Sequence, residues 1–202
     1  IIKNKETIYP LLVPNTTGLK NALEGGVKTI CVFATASESF SKKNTNASIE
    51  QTKKNIKEIL RVAIKNNIKI RAYMSCVLGC PYEGKMSYKK TANLANFLID
   101  EGCYEVSLGD TVGYGTPLET QKLINEVSNK INTSKIAMHL HDTYGQALAN
   151  ILASMQMGIS SFDTSVGGLG GCPYAKGASG NVATEDVIYM LNGMGVDCGV
   201  DL

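Results

Sequence analysis

The sequence predicts an α/β fold of parallel strands joined by crossover helices, arranged as a TIM (β/α)8 barrel rather than an open doubly wound sheet. Three observations carry that prediction. Short apolar runs alternate with longer amphipathic ones along the chain, the pattern left by βα units. No glycine-rich phosphate loop follows the early strand, which runs into Val13-Pro14-Asn15, so the mark of a dinucleotide-binding open sheet is missing. Polar residues gather at the C-terminal ends of several strands: Ser37 and Glu38, Ser75 and Cys76, Asp110 and Thr111, His139 and His141. Chemistry supplied by many strand ends on one rim is the habit of a barrel. Only about six βα units are countable, where a closed barrel needs eight.

Taken in order, the strands are expected over residues 8–13, 29–34, 69–75, 105–108, 136–141 and 161–165. Each is a short, largely apolar run, as strands buried on both faces are. The helices between them announce their starts. Ser48-Ile49-Glu50-Gln51 is a capping box before a long helix ending near Asn66-Asn67, and Thr116-Pro117-Leu118-Glu119 is another, with Pro at the first helical position. Further helices are expected over about residues 17–24, 87–101, 145–157 and 184–192. With no long linker and no shift of composition, residues 1–202 read as a single domain.

Composition narrows the function. Lys and Arg number 20 against 18 Asp and Glu, giving a net charge of +2, and the lysines are scattered, so no basic footprint for nucleic acid is visible. Hydrophobic residues make up 44% of the 202 positions, enough for one sizeable core, and no apolar run approaches the roughly 20 residues of a spanning helix. Nucleic-acid and membrane partners are therefore not expected. The six cysteines lack the dense spacing of a disulfide scaffold, which favours a reducing compartment. The chain opens at Ile1 with no initiator Met and no targeting leader, as a processed or incomplete sequence would.

The most informative stretch is His139-Leu140-His141-Asp142-Thr143-Tyr144-Gly145. Side chains alternate along a strand, so His139 and His141 point together while Leu140 points away. A single buried histidine is usually a satisfied core residue. Here the chain's only two histidines sit together with Asp142 beside them. Neutral imidazole is the commonest metal ligand, and an adjacent carboxylate can act as a further ligand or as an orienter.

A second constellation runs from Ser165 through the glycines at 167, 168, 170 and 171 to Cys172-Pro173-Tyr174, and on to Gly180-Asn181. So many glycines predict a loop able to approach or close over a ligand. A thiol at its centre, with an ordinary pKa near 8.5, suits proton donation or nucleophilic attack. By local pattern alone Asn181 reads as a cap for the helix that follows.

Several of these segments together resemble the hydroxymethylglutaryl-CoA lyase family. They are Ser107-Leu108-Gly109-Asp110-Thr111, residues 139–150, Gly168-Leu169-Gly170-Gly171-Cys172-Pro173-Tyr174, Ser75-Cys76-Val77-Leu78-Gly79-Cys80-Pro81-Tyr82-Glu83-Gly84, and Ala36-Ser37-Glu38-Ser39-Phe40 with Lys42-Lys43-Asn44. The histidine pair is shared with a wider group of metal-dependent barrel enzymes, including isopropylmalate and homocitrate synthases. The glycine segment with Cys-Pro-Tyr belongs to the lyases.

The resemblance implies retro-Claisen cleavage of 3-hydroxy-3-methylglutaryl-CoA to acetyl-CoA and acetoacetate, dependent on a divalent metal, Mg²⁺ or Mn²⁺. It implies His139, His141 and Asn181 as metal ligands, which overrides the cap reading of Asn181. Cys172 matches the catalytic cysteine, and Asp110 and Glu185 match acidic residues of the active-site region. The substrate would be a small acyl-CoA, the full-length protein a homodimer, and the compartment the mitochondrial matrix in eukaryotes or the cytoplasm in bacteria. An Arg-Asp pair that the family carries on its first strand has no counterpart: Arg61 lies in a predicted helix, Arg71 early in a strand, and neither is followed by Asp. The strands here then correspond to the family's third to eighth, and the 202-residue piece alone is expected to be inactive. A condensing synthase on the same barrel and a non-catalytic remnant are the alternatives.

Overall fold

The structure is a computed structural model and describes residues 7–171, 177 and 179–202 of the chain. Among the described residues the core is a parallel six-stranded sheet. Its strands are β1 (Leu11–Leu12), β2 (Thr29–Thr35), β3 (Lys69–Ser75), β6 (Glu105–Asp110), β7 (Ile136–Leu140) and β8 (Ser161–Asp163). A small antiparallel hairpin, β4 (Gly79–Cys80) with β5 (Gly84–Lys85), stands apart from that sheet. The parallel strands lie side by side in strict chain order. A doubly wound sheet reverses its order at a switch point; this one never does, so the barrel expectation holds over the open-sheet alternative.

The helices are α1 (Thr16–Glu24), α2 (Glu38–Thr45), α3 (Ile49–Lys65), α4 (Tyr88–Asp100), α5 (Pro117–Ser128), α6 (Ala147–Gln156) and α7 (Thr184–Gly193). Helix α3 shows why they form. Ser48 accepts a hydrogen bond from the Gln51 backbone N–H at 3.1 Å, and Ile56, Ile59, Leu60 and Ala63 recur at helical spacing on the buried face. Leu98, Leu108, Ile124, Met138 and Leu140 are sealed between sheet and helices, each burial worth about 1.5–3 kcal/mol.

Several expectations need correction. The first strand shrinks from six expected residues to Leu11–Leu12; it pairs only with β2 and is bracketed by Pro10 and Pro14, which cannot donate to a ladder. Thr116 makes no backbone cap bond and instead donates to Glu119 Oε2 at 3.4 Å. Residues 38–45, where no helix was expected, form helix α2, capped by Ser37 accepting from the Phe40 N–H at 3.0 Å. The strand expected to run through His141 leaves the parallel ladder after Leu140, and His141 pairs antiparallel with Asn181 instead.

Candidate metal centre

The interior face of the sheet is built from alternate residues. In the register of β6, β7 and β8, Gly109, His139 and Asp163 lie in one row, and the paired positions of a parallel ladder share a face. Ser107, Gly109, Thr111, His139 and His141 line a cavity of about 360 Å³, together with Tyr73 and Ser75 of β3. Gly109 contributes no side chain to the row, which leaves space beside His139.

The two imidazoles converge. His139 Nε2 lies 3.3 Å from His141 Nε2, while Nδ1 of each ring is buried without a hydrogen-bond partner. Burial and the neighbouring His139 push the His141 pKa down to about 4, so its ring is neutral near pH 7 and its lone pair is free to ligate. Two nitrogens 3.3 Å apart are close enough to meet a single cation between them.

Asn181 enters from the other side. Its bridge to His141 is flanked by Asp142 N–H donating to Gly180 O at 2.9 Å and Val182 N–H donating to Leu140 O at 3.1 Å. Residues paired in an antiparallel bridge present their side chains to one face. The Asn181 amide nitrogen donates to Leu169 O at 2.9 Å and Gly170 O at 3.2 Å, which turns its carbonyl oxygen away from those partners. Asn181 does not cap α7; that position belongs to Ala183. The local pattern favoured a cap, but the long-range pairing with His141 decides its place.

Two imidazole nitrogens and an amide oxygen fit a divalent cation of the Mg²⁺ or Mn²⁺ kind, which accepts mixed nitrogen and oxygen donors. Among the described residues no group of three His, Cys, Asp or Glu side chains is arranged to hold a cation.

The other expected site residues fall elsewhere. Asp110 takes the face of β6 opposite the cavity lining, is fully buried, and accepts from the backbone N–H groups of Tyr114 at 3.2 Å and Gly115 at 2.8 Å. It holds the turn after β6 and does not reach the histidines. Asp142, considered as a ligand or orienter, is spent on the start of α6, accepting from Ala147 N–H at 2.8 Å. Glu185, in the first turn of α7, accepts from Gly167 N–H at 2.8 Å and so sits at the base of the glycine segment. Cys172 lies outside the described residues. Of the described cysteines near the sheet, Cys31 is pushed up to about 11 and Cys103 to about 12 by burial, which keeps both as inert thiols.

Beneath the histidines lies a charge network that pattern reading missed. Arg71 donates through Nε to Glu105 Oε1, and through Nη1 to Asp163 Oδ1 at 2.8 Å and Tyr73 Oη at 2.6 Å. Ser107 Oγ donates to Asp163 Oδ2 at 2.5 Å. Burial works against the Asp163 anion, yet His139, Arg71 and Ser107 hold its carboxyl below the ordinary value. The signal was in the sequence: three charged residues set inside otherwise apolar strands.

A parallel sheet in unreversed order, with polar side chains gathered at one end of its interior face, defines a barrel enzyme scaffold. The model of the HMGL-like family matches residues 1–202, and the chain belongs to that family, whose fold is the TIM barrel. It is 56% identical over 194 residues to the cytoplasmic 3-hydroxy-3-methylglutaryl-CoA lyase of Rattus norvegicus, covering 96% of this chain and 57% of that protein. The mitochondrial hydroxymethylglutaryl-CoA lyase of Gallus gallus is 52% identical, covering 96% of this chain and 65% of its own length. The chain thus spans less than two thirds of these relatives, one of which is cytoplasmic and the other mitochondrial. The crystal structure of hydroxymethylglutaryl-CoA lyase from Pseudomonas aeruginosa superposes with a TM-score of 0.97 at 51% identity, covering 100% of this chain and 67% of that one.

Proposed function

We propose that this chain carries the cation-binding face of a hydroxymethylglutaryl-CoA lyase, which cleaves 3-hydroxy-3-methylglutaryl-CoA to acetyl-CoA and acetoacetate in leucine degradation and ketone-body formation. The observation that carries the reading is the convergence of His139 and His141, with Nε2 atoms 3.3 Å apart, beside Asn181 on the bridged strand. The lyases at 56% and 52% identity support it.

His139 and His141 would hold the cation through Nε2, and Asn181 through its carbonyl oxygen. When bound, a divalent cation supplies Lewis-acid polarisation of substrate oxygens, worth several kcal/mol in typical metal enzymes. The chain's own residues do the rest. The tertiary hydroxyl must lose its proton, the carbon–carbon bond must break toward the thioester, and the departing acetyl-CoA carbon must gain a proton. Cys172 is assigned that last step as general acid, a role typically worth about 10²- to 10⁴-fold. Glu185 positions the glycine segment through Gly167. Asp110 positions the turn at residues 113–115, which packs against Thr143 just beyond His141.

The deciding experiment is acetoacetate release from 3-hydroxy-3-methylglutaryl-CoA by the protein purified from its natural source. Activity that chelator abolishes and Mg²⁺ or Mn²⁺ restores is the expected result. A folded, cation-loaded but inactive protein overturns the reading.

A further inference from the structure

We propose that Asp163 is a positioning residue for His139, accepting a hydrogen bond from the Nδ1–H of that ring and thereby turning the Nε2 lone pair toward His141. The inference rests on the cation-binding reading above and adds a residue to it that no sequence motif marked.

The carboxylate is fixed before it meets the histidine. Oδ1 accepts from Arg71 and Oδ2 from Ser107, so its plane is set from below by two side chains on neighbouring strands. His139 Nδ1 lies 3.6 Å from Asp163 Oδ2. That is longer than a hydrogen bond, yet Nδ1 is buried with no other partner, and a buried N–H seeks one. The Tyr73 ring meets the His139 ring edge-on, 6.2 Å between centroids at 88°, which limits how the imidazole can turn. A modest settling of the ring brings Nδ1 into hydrogen-bond range, and functional hydrogen bonds are often long before a ligand binds.

Charge points the same way. Arg71 carries one positive charge between the two carboxylates of Glu105 and Asp163, leaving an excess of carboxylate over guanidinium in the cluster next to His139. Histidines that bind metals usually donate their second ring N–H to a carboxylate or carbonyl, which fixes the tautomer and raises ligand basicity. His141 Nδ1 is likewise buried without a hydrogen-bond partner, but among the described residues no carboxylate stands beside it as Asp163 stands beside His139. The two ligands are therefore unequal, and His139 is the oriented one.

The test compares the natural protein with Asp163→Asn and Asp163→Glu, reading the imidazole tautomers by long-range ¹H–¹⁵N correlation without metal, and Mn²⁺ affinity by the spectroscopic signal of free Mn²⁺. In the unsubstituted protein His139 is expected to carry its proton on Nδ1. Asp163→Asn should disturb that tautomer and weaken Mn²⁺ binding about 10- to 100-fold, with partial rescue by Asp163→Glu. A carboxylate that merely pairs with Arg71 would lower stability and move neither readout, and an unchanged tautomer with unchanged affinity overturns the proposal. If Asp163→Asn does not fold, Ser107→Ala, which frees one carboxylate oxygen, is read in the same two ways. Absence of Mn²⁺ binding in the unsubstituted protein would sink the cation reading, while the tautomer would still decide whether Asp163 sets the ring.

Discussion

Gly180 and Gly170 meet too closely for any side chain to stand between them: a Cβ on Gly180 would lie 2.2 Å from the Gly170 carbonyl oxygen. Gly180 also holds φ +106°, a conformation that L side chains rarely adopt. Asn181 N–H donates to that same Gly170 oxygen at 3.0 Å, and Gly180 O accepts from Asp142. One glycine thus joins the base of the loop to the histidine strand.

Gly180→Ala should therefore part the two and carry Asn181 away from His141. The expected outcome is Mn²⁺ affinity lowered at least about tenfold and stability lowered by roughly 1–3 kcal/mol. Mn²⁺ titration and urea unfolding check the two effects separately, and affinity equal to that of the unsubstituted protein would remove Asn181 from the ligand set.

Replacing Arg71 by Met leaves Glu105 and Asp163 as uncompensated, largely buried anions. Removing one partner of a buried ion pair typically costs about 3–5 kcal/mol. Urea unfolding should show a loss of that order, and a midpoint unmoved by the substitution would mean the network contributes nothing to the fold.

Asp110 gives a pH dependence whose sign is fixed. Burial pushes its carboxyl up to about 6, against the pull of the backbone N–H groups of Gly115, Tyr114 and Gly113. A folded-state value above the unfolded one means that ionisation disfavours the native state. Its contribution is greatest below the ordinary carboxylate range and is lost as pH rises to about 6. Unfolding free energy measured across pH 4–6 should include a fall that Asp110→Asn lacks; parallel profiles for the two proteins would contradict the burial effect.

Cys172→Ala should lower turnover by about 10²- to 10⁴-fold with Mn²⁺ binding retained, whereas His141→Ala should lose both. Turnover assays paired with metal titration separate the two roles. Equal loss of metal in the two variants would end that division of labour.

The strand order and the seat of the histidines were legible because buried parallel strands advertise themselves as short apolar runs, and because the His139 and His141 spacing has a single geometric meaning on a strand. Helix α2 was not, since Glu38–Thr45 is polar apart from Phe40 and buries only Phe40 and Ser41; its lone cue was the Ser37 cap. Asp142 and Asp110, which the sequence marks for chemistry, accept from backbone N–H groups at a helix start and a turn, contacts that short polar side chains make wherever such groups are left over. Arg71, Glu105 and Asp163 escaped notice for the opposite reason. They lie far apart along the chain: register sets Arg71 beside Glu105, while Asp163, three strands away in the sheet order, meets Arg71 through side chains on the interior face.

The neck of the glycine segment is tied at several points. Ser165 N–H donates to Val182 O, Thr184 N–H to Ser165 O, Asn181 N–H to Gly170 O, and Gly167 N–H to Glu185. The bridge between Asn181 and His141 lies inside this neck. The footing of the glycine segment and the seat of a candidate ligand are therefore one piece of backbone, so whatever shifts the one shifts the other.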